Sequence, residues 1–223
     1  MFLKGADISS LKEVEDQGGS FYCSKTKKDA LEILKNCGVN SIRLRLWVDP
    51  YDSKNIPYGG GTCDLDAVIN LAKRAKNLDM SVMLDFHYSD FWTDPSKQYK
   101  PKKWQNLNFE GLKNQIYQYT KDTLMALKDN DIQPEFVQIG NEITCGMLWE
   151  DGKLTFNDGV ILGFDNLAAL LKAGVKGVKS VLKDTKIILH LERSGDNALY
   201  RQWFDNIINR NVEFDIIGVS YYP

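Results

Sequence analysis

The sequence predicts an α/β fold of the (β/α)8 TIM-barrel type, truncated after its sixth strand. Three observations carry that expectation. Short apolar, β-branched runs alternate with longer stretches of helical period, the pattern of consecutive βα units around a parallel sheet. The first strand leads into no GxGxxG turn, which a doubly wound nucleotide-binding sheet would carry there. Polar and ionisable residues recur at the C-terminal ends of the strands, the face on which a barrel gathers its chemistry.

The first strand is read over Phe2–Ile8. A helix follows over Lys28–Cys37, closed by Gly38 as a C′ glycine. The second strand, Ser41–Trp47, sets Ser41, Arg43, Arg45 and Trp47 against Ile42, Leu44 and Leu46. One face must meet helices, so both arginines are expected to point into the barrel, although an exposed edge strand would show the same alternation. Asp64 is placed to cap a helix carrying Leu65, Val68, Ala72 and Ala75. The third strand, Ser81–His87, precedes a long helix with the stripe Phe109, Leu112, Ile116, Tyr119 and Leu127. The fourth strand, Glu135–Asn141, precedes a helix with Phe164, Leu167, Leu171, Val175, Val178 and Leu182. The fifth, Lys186–Leu191, precedes a helix with Leu199, Trp203, Phe204, Ile207 and Ile208, and the sixth is Phe214–Tyr221. Residues 1–223 are thus read as one barrel domain, βα units one to five plus strand six, C-terminally incomplete. An open sheet leaves its edges unpaired, so the segment is expected to be marginal, to self-associate, or to be completed by further structure.

With 28 Lys and Arg against 30 Asp and Glu, the net charge is −2, which argues against a nucleic-acid partner. A composition of 43% hydrophobic and 26% charged residues is that of a globular domain with a single core. No apolar run approaches the roughly 18 residues of a membrane span. The opening Met1-Phe2-Leu3-Lys4-Gly5 lacks a signal-peptide core, and export is left open. Cys23, Cys37, Cys63 and Cys145 form no CxxC pair and there are two histidines, which argues against a zinc site. The cysteines are read as small core residues or isolated thiols, with one disulfide left open. Gly59-Gly60-Gly61 is read as a flexible loop and Lys97–Lys103 as a solvated one. No cofactor is expected, and chelators are expected to leave activity intact.

The strand ends read Asp85-Phe86-His87, Asn141-Glu142, His190-Leu191-Glu192 and Ser220-Tyr221-Tyr222, and a barrel brings them together. Glu142 is the strongest catalytic candidate, because it follows the apolar run Phe136–Gly140 where strand becomes loop. A carboxyl group partly desolvated at a barrel mouth can donate a proton near neutral pH; the alternative is a loop glutamate in water. His87 and His190 both close buried strands and are expected to orient substrate hydroxyls or a carboxyl group, the alternative being satisfied core histidines. Asp85 is expected to pair with the arginines and stay ionised. Trp47, Tyr88, Phe91, Trp92, Trp104, Trp149, Tyr221 and Tyr222 follow strand ends, and flat rings with polar edges suit sugars. Trp203, in a helix stripe, is read as core.

Three long motifs carry a resemblance. They are Ser41-Ile42-Arg43-Leu44-Arg45-Leu46-Trp47-Val48-Asp49-Pro50, the stretch Asp85-Phe86-His87-Tyr88-Ser89-Asp90-Phe91-Trp92-Thr93-Asp94-Pro95, and Gln138-Ile139-Gly140-Asn141-Glu142-Ile143-Thr144. Lys4–Ser9, Gly146–Trp149 and Gly218–Pro223 support them. The chain resembles glycoside hydrolase family 53, the endo-β-1,4-galactanases.

The resemblance implies a retaining glycosidase that cuts β-1,4-galactan in the side chains of pectic arabinogalactan, outside the cell. Glu142 would be the general acid/base, and Arg43, Arg45, Asp85, His87, Trp92, Asn141, His190 and Tyr221 the substrate-binding residues. The family's nucleophile, a glutamate ending the seventh strand, would lie beyond residue 223. Two departures from the family pattern stand out, Glu192 where a small or aspartate residue is expected and Cys145 in place of a polar one. A sugar-binding protein with no nucleophile is the competing reading. A Schiff-base or phosphate-gripping barrel would need a strand-end lysine, and none is seen.

Overall fold

Six parallel strands hydrogen-bond in sequence order: β1 (Gly5–Asp7), β2 (Ser41–Leu46), β3 (Ser81–Phe86), β4 (Phe136–Ile139), β5 (Lys186–Leu191) and β6 (Ile216–Val219). The computed structural model describes residues 2–222, so Met1 and Pro223, the last residue of the C-terminal motif, lie outside the described residues. Helices α1 (Leu11–Asp16), α2 (Ala30–Asn36), α3 (Leu65–Lys76), α4 (Phe109–Asp129), α5 (Phe164–Val181) and α6 (Asn197–Asn209) return the chain between strands. This is the expected (β/α) alternation. Among the described residues no helix is long and apolar enough to cross a membrane.

The alternation in β2 has the predicted cause. Ile42, Leu44 and Leu46 are fully buried against the helical layer, while Arg43 and Arg45 turn to the opposite face of an interior strand. The exposed-edge alternative is therefore excluded. Helix starts are fixed by side chains that accept the first free N–H groups: Asp29 from Leu31 and Glu32, Asp64 from Ala67, Asn108 from Gly111 and Asp196 from Leu199. Trp203 is fully buried, edge-on to Phe164 and Phe204, as its place in the α6 stripe predicts.

Several strands are shorter than the sequence implied. Phe2 and Leu3 are exposed and outside the ladder, and β3, β4 and β6 stop before His87, Gly140 and Ser220. Backbone turns take over there, with Tyr88 at φ 50° and Glu142 at φ 51°. Short elements escaped the sequence because two- or three-residue strands show no periodicity: α1 and the hairpins Phe21–Cys23/Thr26–Lys28, Gly146–Met147/Gly152–Lys153 and Thr155–Asn157/Val160–Leu162.

One loop reading needs correction. Lys97–Lys103 is not a free solvated loop. Lys100 pairs with Asp151, and Lys102 donates to the backbone carbonyls of Asp49 and Tyr51, tying the loops after β2 and β3 together. All four cysteines are free: Cys63 is buried and Cys145 half-buried, while Cys23 and Cys37 are exposed, isolated thiols.

Candidate active site

The strand register brings charge to one layer of the interior. Asp7 lies beside Arg43, Arg45 beside Asp85, and Asp85 beside Gln138. Arg43 spends its planar fork on several acceptors at once: Nη1 reaches Asp7 Oδ2 at 2.8 Å, and Nη2 reaches Asp85 Oδ2 at 2.6 Å and Asn141 Oδ1 at 2.9 Å. Asp85 is fully buried. Burial alone would push its carboxyl group up, but the Arg43 charge and the neighbouring His87 hold it below the usual carboxylate range. It is the ionised partner of an arginine, as expected.

Gln138 donates to Asp85 Oδ1 at 2.6 Å and to the Gly140 carbonyl at 2.8 Å, bracing the turn that follows β4. That turn needs Gly140, at φ 80°, because a Cβ there would meet Ile143 Cγ2 at 2.6 Å. Asn141 is clamped on both sides: its Nδ2 donates to the Thr93 carbonyl at 2.8 Å and its own carbonyl accepts from Gln98 at 2.8 Å. Glu142 then sits in the left-handed region, a strained position for a residue with a side chain, and strain of that kind gathers at functional sites. Its carboxylate Oε1 accepts from Ser220 Oγ at 2.6 Å, and its N–H donates to His190 Nδ1 at 3.2 Å. An open cleft of about 630 Å³ lies over this turn, lined among others by Arg43, Trp92, Asn141, Glu142, His190 and Tyr222.

A sequence model of glycosyl hydrolase family 53 matches residues 3–223. The chain belongs to that family. It is 42% identical over 227 residues to the arabinogalactan endo-β-1,4-galactanase A of Aspergillus niger, covering 99% of this chain and 61% of the relative. It is 36% identical over 223 residues to the endo-β-1,4-galactanase of Bacillus subtilis (strain 168), covering 100% of this chain and 49% of the relative. The solved family 53 catalytic domain of Ignisphaera aggregans superposes with a TM-score of 0.92 at 41% identity, covering all of this chain and 60% of that one. The chain thus spans about half to three fifths of the length of these family 53 members.

Within the family 53 barrel the predicted site residues occupy two levels. Arg43, Trp92, Asn141, Glu142 and His190 line the cleft. Asp85 and His87, at 0% and 1% exposure, lie beneath it and meet the cleft only through Arg43 and its neighbours. His87 Nδ1 accepts from the Thr93 N–H at 3.2 Å, and its Nε2 stands 3.0 Å from Asp85 Oδ2. Arg45 is set to one side, its guanidinium 3.8 Å from the Trp92 ring centroid and bonded to the Gly60 carbonyl at 3.2 Å. Tyr221 is exposed and off the cleft wall, where Tyr222 stands instead. The aromatic set divides likewise: Trp47, Tyr88 and Trp104 are core, and Trp92 and Tyr222 face the cleft. Gly60 is no loose loop residue, since a Cβ there would press on Trp47 and Trp92 at 3.3 and 3.4 Å. Among the described residues no group of His, Cys, Asp and Glu side chains is arranged to hold a metal ion.

Sequence reading missed Gln138 and Ser220. Gln138 alternates with Val137 and Ile139 on β4 as Arg43 alternates with its apolar neighbours on β2, and that period-two pattern could have revealed it. Ser220 lies just past β6 beside Tyr221 and Tyr222, and no local pattern sets it apart from them. Of the two departures from the family pattern, Glu192 is 9% exposed, accepts from Thr144 Oγ1, and is pushed up by burial.

Burial pushes His190 down to about 4 from 6.5, so it is neutral at neutral pH. The sign of its linkage follows. The unfolded chain binds a proton at this residue that the folded chain refuses, so the His190 contribution is intact above about 6.5 and is lost as pH falls toward 4. Asp85, whose folded value is lowered, adds its own loss only at lower pH, as pH falls through that lowered value. Denaturant unfolding across this range is expected to show stability falling from pH 6.5 to 4, with a shallower fall in His190→Asn; an equal slope in both would contradict the assignment.

Proposed function

We propose that this chain carries the proton-transferring part of a retaining endo-β-1,4-galactanase. The observation that carries the reading is Glu142, held on a strained turn at the end of β4 with its carboxyl group opening on the cleft beside Arg43 and Trp92. Glu142 protonates the departing glycosidic oxygen and then takes a proton from the water that hydrolyses a glycosyl-enzyme intermediate. The wide, open cleft suits an internal stretch of a polymer. Galactan as the polymer follows from the names of the Aspergillus niger and Bacillus subtilis relatives, and the natural substrate proposed is the galactan of pectin, met outside the cell.

Retention requires a second carboxylate roughly 5–5.5 Å from the first. Asp85 is sealed beneath Arg43 and Glu192 is engaged by Thr144, so neither is offered as the nucleophile. The reading assigns that role to a glutamate of a seventh strand following this sequence. Proton NMR of galactan digestion by the chain continued to the length of its relatives tests it. Release of the β-anomer first, with xylan and mannan left uncut, is expected; the α-anomer first, or equal attack on all three polymers, would overturn it.

A further inference from the structure

We propose that Ser220, held by His190, is a positioning residue that aims the Glu142 carboxyl group and receives its charge as the proton leaves. The proposal rests on Glu142 being the acid/base, and deepens that reading. His190 Nδ1 faces the Glu142 N–H at 3.2 Å; Gln138 Nε2, 3.4 Å away, spends its two hydrogens on Asp85 Oδ1 and the Gly140 carbonyl. The neutral imidazole therefore carries its proton on Nε2. Asn141 Oδ1 stands 3.1 Å from the same Nδ1, but it is committed to Arg43. Nε2 in turn lies 3.0 Å from Ser220 Oγ, to which it donates. With its oxygen engaged as acceptor, the serine hydroxyl points its own hydrogen at Glu142 Oε1, 2.6 Å away.

The placement is built into the fold. Ser220 follows β6 and is fixed by its N–H to the Leu191 carbonyl at 2.9 Å. His190 pairs across the sheet with Gly218, where any Cβ would press on the imidazole Cδ2 at 3.1 Å. A glycine opposite the histidine and a serine two residues on are thus parts of one device. It ties up Oε1 and leaves the other carboxyl oxygen to face the glycosidic bond. The serine bond is neutral-to-neutral while Glu142 holds its proton and charge-assisted once the proton has gone, so it strengthens along the reaction.

The test compares two substrates in the chain continued to the length of its relatives. Galactan needs acid assistance to its leaving group, whereas a dinitrophenyl β-galactobioside does not. Ser220→Ala is expected to lower kcat/KM on galactan about tenfold or more, with a much smaller loss on the dinitrophenyl substrate, and Ser220→Thr to recover most of it. Equal losses on both substrates, or no loss on either, would overturn the proposal. Nitrogen-15 spectra of the His190 imidazole give a readout independent of hydrolysis: the Nε2–H tautomer dominates in the wild type, and the Nε2 resonance moves in Ser220→Ala, where its N–H loses the serine oxygen. A wild type with its proton on Nδ1, or an Nε2 resonance that does not move in the variant, would also overturn it. A wild-type protein that cleaves neither substrate would refute the galactanase reading instead, and the imidazole spectra would still decide the contact.

Discussion

Glu142→Gln is expected to lower galactan hydrolysis by about 10²- to 10⁴-fold, the usual worth of a positioned proton donor. The amide keeps the shape of the side chain and an oxygen for the Ser220 hydroxyl, now 2.6 Å from Oε1, so the turn after β4 keeps its supports. What the variant cannot do is release a proton to the leaving oxygen or take one from water. Galactan binding, followed by affinity electrophoresis, should stay within a few-fold of wild type while turnover collapses. Turnover near the wild-type level would remove Glu142 from the mechanism and leave the cleft without a proton donor.

Arg43→Ala is expected to cost about 3–5 kcal/mol of folding free energy, the range seen when one partner of a buried ion pair is removed. Asp85 has no access to water, and Arg43 is its main compensating charge at 2.6 Å. The loss spreads further, because Asp7 and Asn141 hang on the same guanidinium. Arg43→Lys should recover only part of it, since a single ammonium cannot serve acceptors that the planar fork meets together. Denaturant midpoints check the prediction, and the double variant Arg43→Ala/Asp85→Asn should lose much less than the sum of the single losses. Additive losses would mean that the two side chains do not depend on each other.

These expectations show what could be read in the chain beforehand. The six strands and five of the helices were legible because each is long enough to display its period, and the inward turn of Arg43 and Arg45 followed from a two-residue alternation in β2. Depth was not legible. Asp85, His87 and Trp92 all lie in one short motif, yet the first two are sealed and the third faces the cleft, because β3 ends at Phe86 and the loop after it folds back over the strand end. Nor could the sequence tell Tyr221 from Tyr222, since residues beyond the last ladder bond of β6 no longer alternate by strand geometry. Ser220 and Gln138 matter through partners 30 to 78 positions away, a relation that no local pattern records.

Reducing-sugar release from β-1,4-galactan by the chain continued to the length of its relatives, with its Glu142→Gln variant alongside at matched circular dichroism, tests the central claim most directly. Rapid release by the first and none above background by the second is the predicted result. Release by both, or by neither, would contradict the account of Glu142 as the proton donor of a galactan-cutting barrel.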